Sequence, residues 1–191
     1  DSGYDLLAVG EMGIGNTTTS SAIASVMLEQ PPEAVTGRGA GLSGEGLERK
    51  IQVIQKAIAL HGPDREKPLE VLSALGGLDI AAMTGFLLGG AIYRIPVVLD
   101  GMISAVAALL AAALCPGVTD YLLPSHMGKE PACRLVMERL GFEPVIHGQL
   151  ALGEGTGAVM LFPLLDMAAS VYEENSTFAD IKIKAYESFE D

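Results

Sequence analysis

The sequence predicts an α/β fold, an open and mostly parallel Rossmann-like sheet flanked by helices. Three observations carry that expectation. Short apolar runs near residues 6–9, 94–101 and 120–124 alternate with longer segments of helical character, the pattern of strand–helix–strand units on a parallel sheet. The first run breaks directly into glycines and then into polar helix-starting residues. The composition, 49% hydrophobic with only 5% aromatic residues, suits helices packed on a sheet. At 191 residues the chain is long enough for one well-cored domain, expected over residues 1–178, followed by an acidic tail at 179–191.

In chain order, the first element is the run Leu6 to Val9, which passes into Gly10-Glu11-Met12-Gly13-Ile14-Gly15-Asn16-Thr17-Thr18-Thr19. It reads as a strand, a tight loop and a helix N-terminus. Glycines there let a bound group approach the amides, while Asn16 and the threonines are residue types that cap a helix. Uncapped first-turn N–H groups and the helix dipole favour an anion, so the loop is either a phosphate cradle or a structural strand-to-helix turn. Gly10 to Gly15 has the spacing of a Walker A loop, but Asn16 and Thr17 stand where Lys and Ser/Thr should follow. The dinucleotide fingerprint G-x-G-x-x-G fails too, since the order is G-x-x-G-x-G.

A helix from Thr17 to Gln30 ends at Pro31-Pro32. Gly37 to Gly46 holds five glycines in ten residues, which makes it a loop. It leads into an amphipathic helix, about Leu47 to Leu60, with Leu47, Ile51, Ile54 and Ile58 at helical spacing. Lys50 could reach a ligand over that loop, although spacing alone favours a solvated lysine. His61-Gly62-Pro63 ends the helix, and short helices follow over Leu69 to Leu75 and from Gly76-Gly77-Leu78-Asp79 to Tyr93. Arg94 to Gly101 is the clearest buried strand. Its terminal Asp100 either lines the crevice at the strand ends or caps the next helix. Met102 to Leu114 is a buried helix. Asp120 to Pro124 gives another strand with the loop Ser125 to Lys129, Glu130 to Leu140 a helix, and Glu143 to His147 a further short strand. Leu152-Gly153-Glu154-Gly155-Thr156-Gly157-Ala158 precedes an apolar helix from about Val159 to Tyr172. A glutamate between glycines at an apolar helix mouth could have a raised pKa and act as a general base; a helix-start acid complementing the dipole is the alternative.

A formal net charge of −12 and a pI near 4.6 argue against nucleic acid or an anionic membrane surface as partner. The longest apolar run, Met102 to Cys115, is shorter than the ~20 residues of a membrane span. Two distant cysteines, Cys115 and Cys133, give no disulfide framework and fit a reducing cytoplasm, and nothing at the N-terminus resembles a signal peptide. His61, His126 and His147 show no metal-ligand spacing, so no metal site is expected.

Together the motifs G-E-M-G-I-G-N-T-T-T (10–19), G-R-G-A-G-L (37–42), G-G-L-D-I-A-A-M-T-G (76–85), V-V-L-D-G (97–101), Y-L-L-P-S-H (121–126) and L-G-E-G-T-G-A (152–158) resemble the nicotinate-nucleotide–dimethylbenzimidazole phosphoribosyltransferase family, over about Tyr4 to Phe178. The resemblance implies transfer of phosphoribose from nicotinate mononucleotide to 5,6-dimethylbenzimidazole or a related base, giving α-ribazole 5′-phosphate and nicotinate in cobalamin biosynthesis. It implies a cytoplasmic homodimer that needs no cofactor or metal. Glu154 matches the catalytic glutamate. The phosphate set is Gly13, Ile14, Gly15, Asn16, Gly39 and Lys50, and the ribose and base side is Glu11, Asp79, Asp100, Gly101, Ser125 and Leu152. The family's serine–histidine loop has the form S-H-x-S-x-E-x-G-H, whereas Gly128, Ala132 and Cys133 stand here at its second serine and its terminal glycine and histidine. Members are much longer, and the chain opens Asp1-Ser2-Gly3. The expectation is therefore a C-terminal, nucleotide-binding catalytic portion of a longer enzyme, with a non-catalytic nucleotide- or phosphate-binding module as the alternative.

Overall fold

The computed structural model describes residues 3–184. Its sheet has three strands, β1 (Leu7–Ala8), β2 (Val97–Leu99) and β3 (Leu122–Pro124), in the order β1-β2-β3 and parallel throughout. Leu7 registers with Val97, and Val97 with Leu122. All three β2 residues are fully buried, as a central parallel strand covered on both faces must be.

Between β1 and β2 run α1 (Asn16–Leu28), α2 (Pro32–Val35), α3 (Gly44–His61), α4 (Pro68–Leu75) and α5 (Leu78–Tyr93). Beyond β2 come α6 (Met102–Leu114), a 3₁₀ turn (Pro116–Tyr121), α7 (Pro131–Leu140) and α8 (Thr156–Glu174). The core centres on α6, buried continuously from Met102 to Ala111; its alanines let α1, α5 and α7 pack close around it. The α3 stripe forms as its period requires, with Ile54 buried and Leu47, Ile51 and Ile58 partly so.

Several expected elements change. Helix α3 starts at Gly44 rather than Leu47, because Ser43 caps it by accepting from the Gly46 N–H at 3.1 Å. The 3₁₀ turn removes Asp120 and Tyr121 from the third strand. The strand expected at Glu143 to His147 is reduced to one parallel bridge, His126 to Ile146. Pro144 has no N–H to donate, and the pairing consists of Ile146 N–H to the Ser125 carbonyl and Met127 N–H to the Ile146 carbonyl, both 3.0 Å.

The chain divides into two units, Asp1–Leu161 and Phe162–Asp191. The first holds the sheet and α1 to α7. The second begins within α8, and exposes Met167, Val171 and Tyr172 before a short turn at 178–182. The remainder of the expected acidic tail, 185–191, lies outside the described residues.

Candidate active site

The carboxyl ends of the strands open on a cleft of about 760 Å³. The loop after β1 forms one wall, the loop before α3 another, and the ends of β2 and β3 with the segment 150–154 close the rest. Of the residues singled out from sequence, Glu11, Gly13, Ile14, Gly15, Asn16, Gly39, Asp100, Gly101, Leu152 and Glu154 all line it. Lys50, Asp79 and Ser125 do not; each bonds to a residue that does.

Asn16 does not cap α1. Gly15, left-handed at φ +88°, takes the N-cap position, and no side chain caps the helix. The Asn16 side-chain amide instead donates to Glu11 and, at 3.0 Å, to Asp79, so the loop is pinned across to α5. Burial pushes the Glu11 pKa up; the Asn16 hydrogen bond opposes this, and the Asp79, Asp100 and Glu154 charges add to it.

Lys50 is buried, against the solvated lysine that its spacing favours. It follows Leu47 by three positions and precedes Ile54 by four, which sets it on the apolar stripe of α3. Its Nζ donates to Thr17 Oγ1 and to the Gly37 carbonyl, each at 3.0 Å. One ammonium thereby ties α1 to the second glycine loop. Burial lowers its pKa, partly offset by the nearby Glu130 carboxylate. Glu130, which sequence reasoning passed over, accepts from the Gly39 N–H at 2.9 Å and packs against Gly37. Its coincidence with the glutamate of the pattern S-H-x-S-x-E was the available signal; it stands before Pro131 at the start of α7, but its side chain does not cap that helix. Gly128, where the resembled family carries a serine, lines the cleft without a side chain, while Ala132 and Cys133 are fully buried.

Glu154 stands at the mouth, exposed, and not in the apolar setting expected for it. Its φ is +61°, between Gly153 at +79° and Gly155 at +82°. For a non-glycine residue that conformation costs on the order of 1–3 kcal/mol and persists only where surroundings impose it. The loop is held from two sides. A Cβ on Gly10 would overlap the Gly155 amide, so only glycine lets the β1 end approach this closely. Asp100, 3% exposed, accepts from the Gly155 N–H at 3.1 Å, the Gly157 N–H at 2.8 Å and the Ala158 N–H at 3.2 Å. Asp100 therefore both lines the crevice and caps a helix, but the helix is α8 and not the next one.

Ser125 Oγ donates to the Asp100 carbonyl at 3.2 Å and lies 3.0 Å from His126 Nδ1. With the single serine proton so used, the ring nitrogen is the donor in the second contact. His126 is buried under Gly157, where a Cβ would overlap the imidazole. Burial holds the His126 pKa below the usual histidine value, Asp100 partly offsetting. The arrangement can seat an anion on the amides around Gly13 to Gly15, while the Gly39 N–H is already taken by Glu130, and it presents carboxylates from Glu11 and Glu154 across the same space.

A family profile described as Phosphoribosyltransferase matches residues 1–183. Nicotinate-nucleotide–dimethylbenzimidazole phosphoribosyltransferases from Acetivibrio thermocellus and Clostridium acetobutylicum are 49% and 48% identical to the chain, each over 97% of it and 53% of the relative. A crystal structure titled as CobT from Thermus thermophilus superposes with a TM-score of 0.89 at 44% identity, covering 95% of this chain and 54% of that one. The chain thus spans about half the length of the curated relatives it matches.

Proposed function

The chain belongs to the nicotinate-nucleotide–dimethylbenzimidazole phosphoribosyltransferase family, and from that premise we propose that the protein carrying it transfers phosphoribose from nicotinate mononucleotide to a benzimidazole, with Glu154 as general base. The observation that carries this reading is the meeting, in one cleft, of the glycine loop after β1 with the Glu154 loop, through the close approach of Gly10 to Gly155. In the proposed reaction an imidazole-type nitrogen attacks the anomeric carbon from the face opposite nicotinate. The new C–N bond forms as the old one breaks, its electron pair passes to the nicotinate ring nitrogen, and the β linkage becomes α. Glu154 takes the proton that the nucleophile's other nitrogen must lose. Gly13, Ile14 and Gly15 seat the phosphate, Asn16, Gly39 and Lys50 brace the two loops around it through their own hydrogen bonds, and Glu11, Gly101 and Leu152 face the ribose and base.

Glu154→Gln keeps shape but cannot take a proton. Turnover should fall by about 10² to 10⁴ with mononucleotide affinity largely kept, and full turnover in that variant would sink the assignment. One observation favours a second reading for the chain by itself: Glu154 is exposed, without the water-excluding wall that a proton transfer of this kind uses. Calorimetry with nicotinate mononucleotide, paired with a turnover assay on the same sample, separates a binding module from a transferase. Cytoplasmic residence and a homodimer belong to the same proposal; sedimentation checks the latter. No helix among the described residues is long and apolar enough to cross a membrane.

A further inference from the structure

We propose that Asp100 is a positioning residue that holds the Glu154 loop in its reactive conformation, instead of a contact to the nucleotide. This rests on the reading of Glu154 as the base. Both carboxylate oxygens of Asp100 are engaged by the segment that follows Glu154: Oδ2 by the Gly155 N–H, Oδ1 by the Gly157 and Ala158 N–H groups. These belong to the first turn of α8 and the residue just before it, where donors have no intrahelical partner and where the dipole favours a negative charge. A ligand at the α8 N-terminus would have to displace that carboxylate.

Asp100 is itself fixed from behind. Its N–H donates to Ser104 Oγ on α6 at 2.9 Å, and its carbonyl accepts from Ser125 Oγ beyond β3 at 3.2 Å. Ser104 and Ser125 are 1% and 0% exposed. A continuous set of bonds therefore runs from the buried core to the loop. The three successive positive φ values at 153–155 are a conformation that a free segment rich in glycine would leave. Glu154, being exposed, depends on the loop backbone for its direction.

The test uses Asp100→Ala and Asp100→Asn in the whole protein that carries this chain; the asparagine variant keeps the shape of the site should the alanine one fail to fold. A misplaced base predicts that kcat falls about 10²-fold while KM for nicotinate mononucleotide moves less than about threefold. Amide exchange at Gly155, Gly157 and Ala158 should quicken roughly tenfold or more in the alanine variant as their acceptor is lost, and at Gly155 at least in the asparagine variant, whose NH2 group replaces one acceptor oxygen. Added to Glu154→Gln, Asp100→Ala should cost nothing further, because both act through one group. The proposal is overturned if KM rises as much as kcat falls, if the three exchange rates stay unchanged, or if the double variant loses the product of the single losses. Should the unaltered protein transfer no phosphoribose, the reading of Glu154 fails, and the exchange rates alone decide whether Asp100 holds the loop.

Discussion

Replacing Lys50 by methionine tests whether one buried ammonium joins the two glycine loops. Methionine keeps most of the apolar stem and removes only the charge and its donors. Two hydrogen bonds disappear, to Thr17 Oγ1 and the Gly37 carbonyl, both 3.0 Å. Each is worth about 1.5–3 kcal/mol with a charged donor, so the gross loss is roughly 3–6 kcal/mol. Against this stands the cost of burying the ammonium, visible in its lowered pKa. The Glu130 carboxylate then loses its nearby cation, as when one member of a buried pair is deleted. The net expectation is a destabilisation of about 2–4 kcal/mol. Urea unfolding of both proteins measures it, with equal m-values required for the comparison. A midpoint unchanged to within about 0.5 kcal/mol of stability would refute the account of Lys50 as the tie between α1 and the second loop.

Glu11→Gln carries a pH signature. Burial and the Asp79, Asp100 and Glu154 charges raise the Glu11 pKa above 4.5, so the folded state binds that proton more tightly than the unfolded chain. Stability contributed by this site is therefore present below 4.5 and falls as pH rises through the raised native value. The glutamine variant should melt higher than the original at about pH 7 and alike at about pH 4; calorimetry at both pH values checks the sign. Gly157→Ala places a methyl against the His126 imidazole, which is buried and bonded to Ser125. An overpacking cost of about 1–3 kcal/mol follows, and an unchanged melting temperature would contradict it.

Most of the fold is written in local signals of the sequence. The run at α6 is uninterrupted and apolar, so its bounds, Met102–Leu114, could be read directly. The glycine stretch at 10–15 could only be a loop and lines the cleft, as do residues 37–40 of the second stretch, although that expected loop of 37–46 gives up its last three residues to α3. What stayed hidden depends on partners far along the chain. Asp100 and Gly157 are 57 residues apart, and no spacing rule links a strand end to a helix that distant. Glu154 read as a carboxylate in an apolar mouth because its neighbours in sequence are apolar, yet Leu152, Val159 and Met160 are themselves exposed. Lys50 was a misjudgement that sequence could have prevented, since its place between Leu47 and Ile54 already put it on the buried stripe of α3.

The register of β1 also governs the order in which the molecule can assemble. Among the described residues Leu7 pairs with Val97 alone, about 90 residues later. A ribosome adding about 5–20 residues per second needs roughly 5–20 s to supply that partner. Throughout that interval the first strand and its glycine loop exist without a ladder to join. Closing so long a segment must precede any reward from the pairing. The glycine loop after β1 is thus made well before the strand that fixes it, and the first turn of α8, bonded to Asp100, can make those bonds only after β2 is in place.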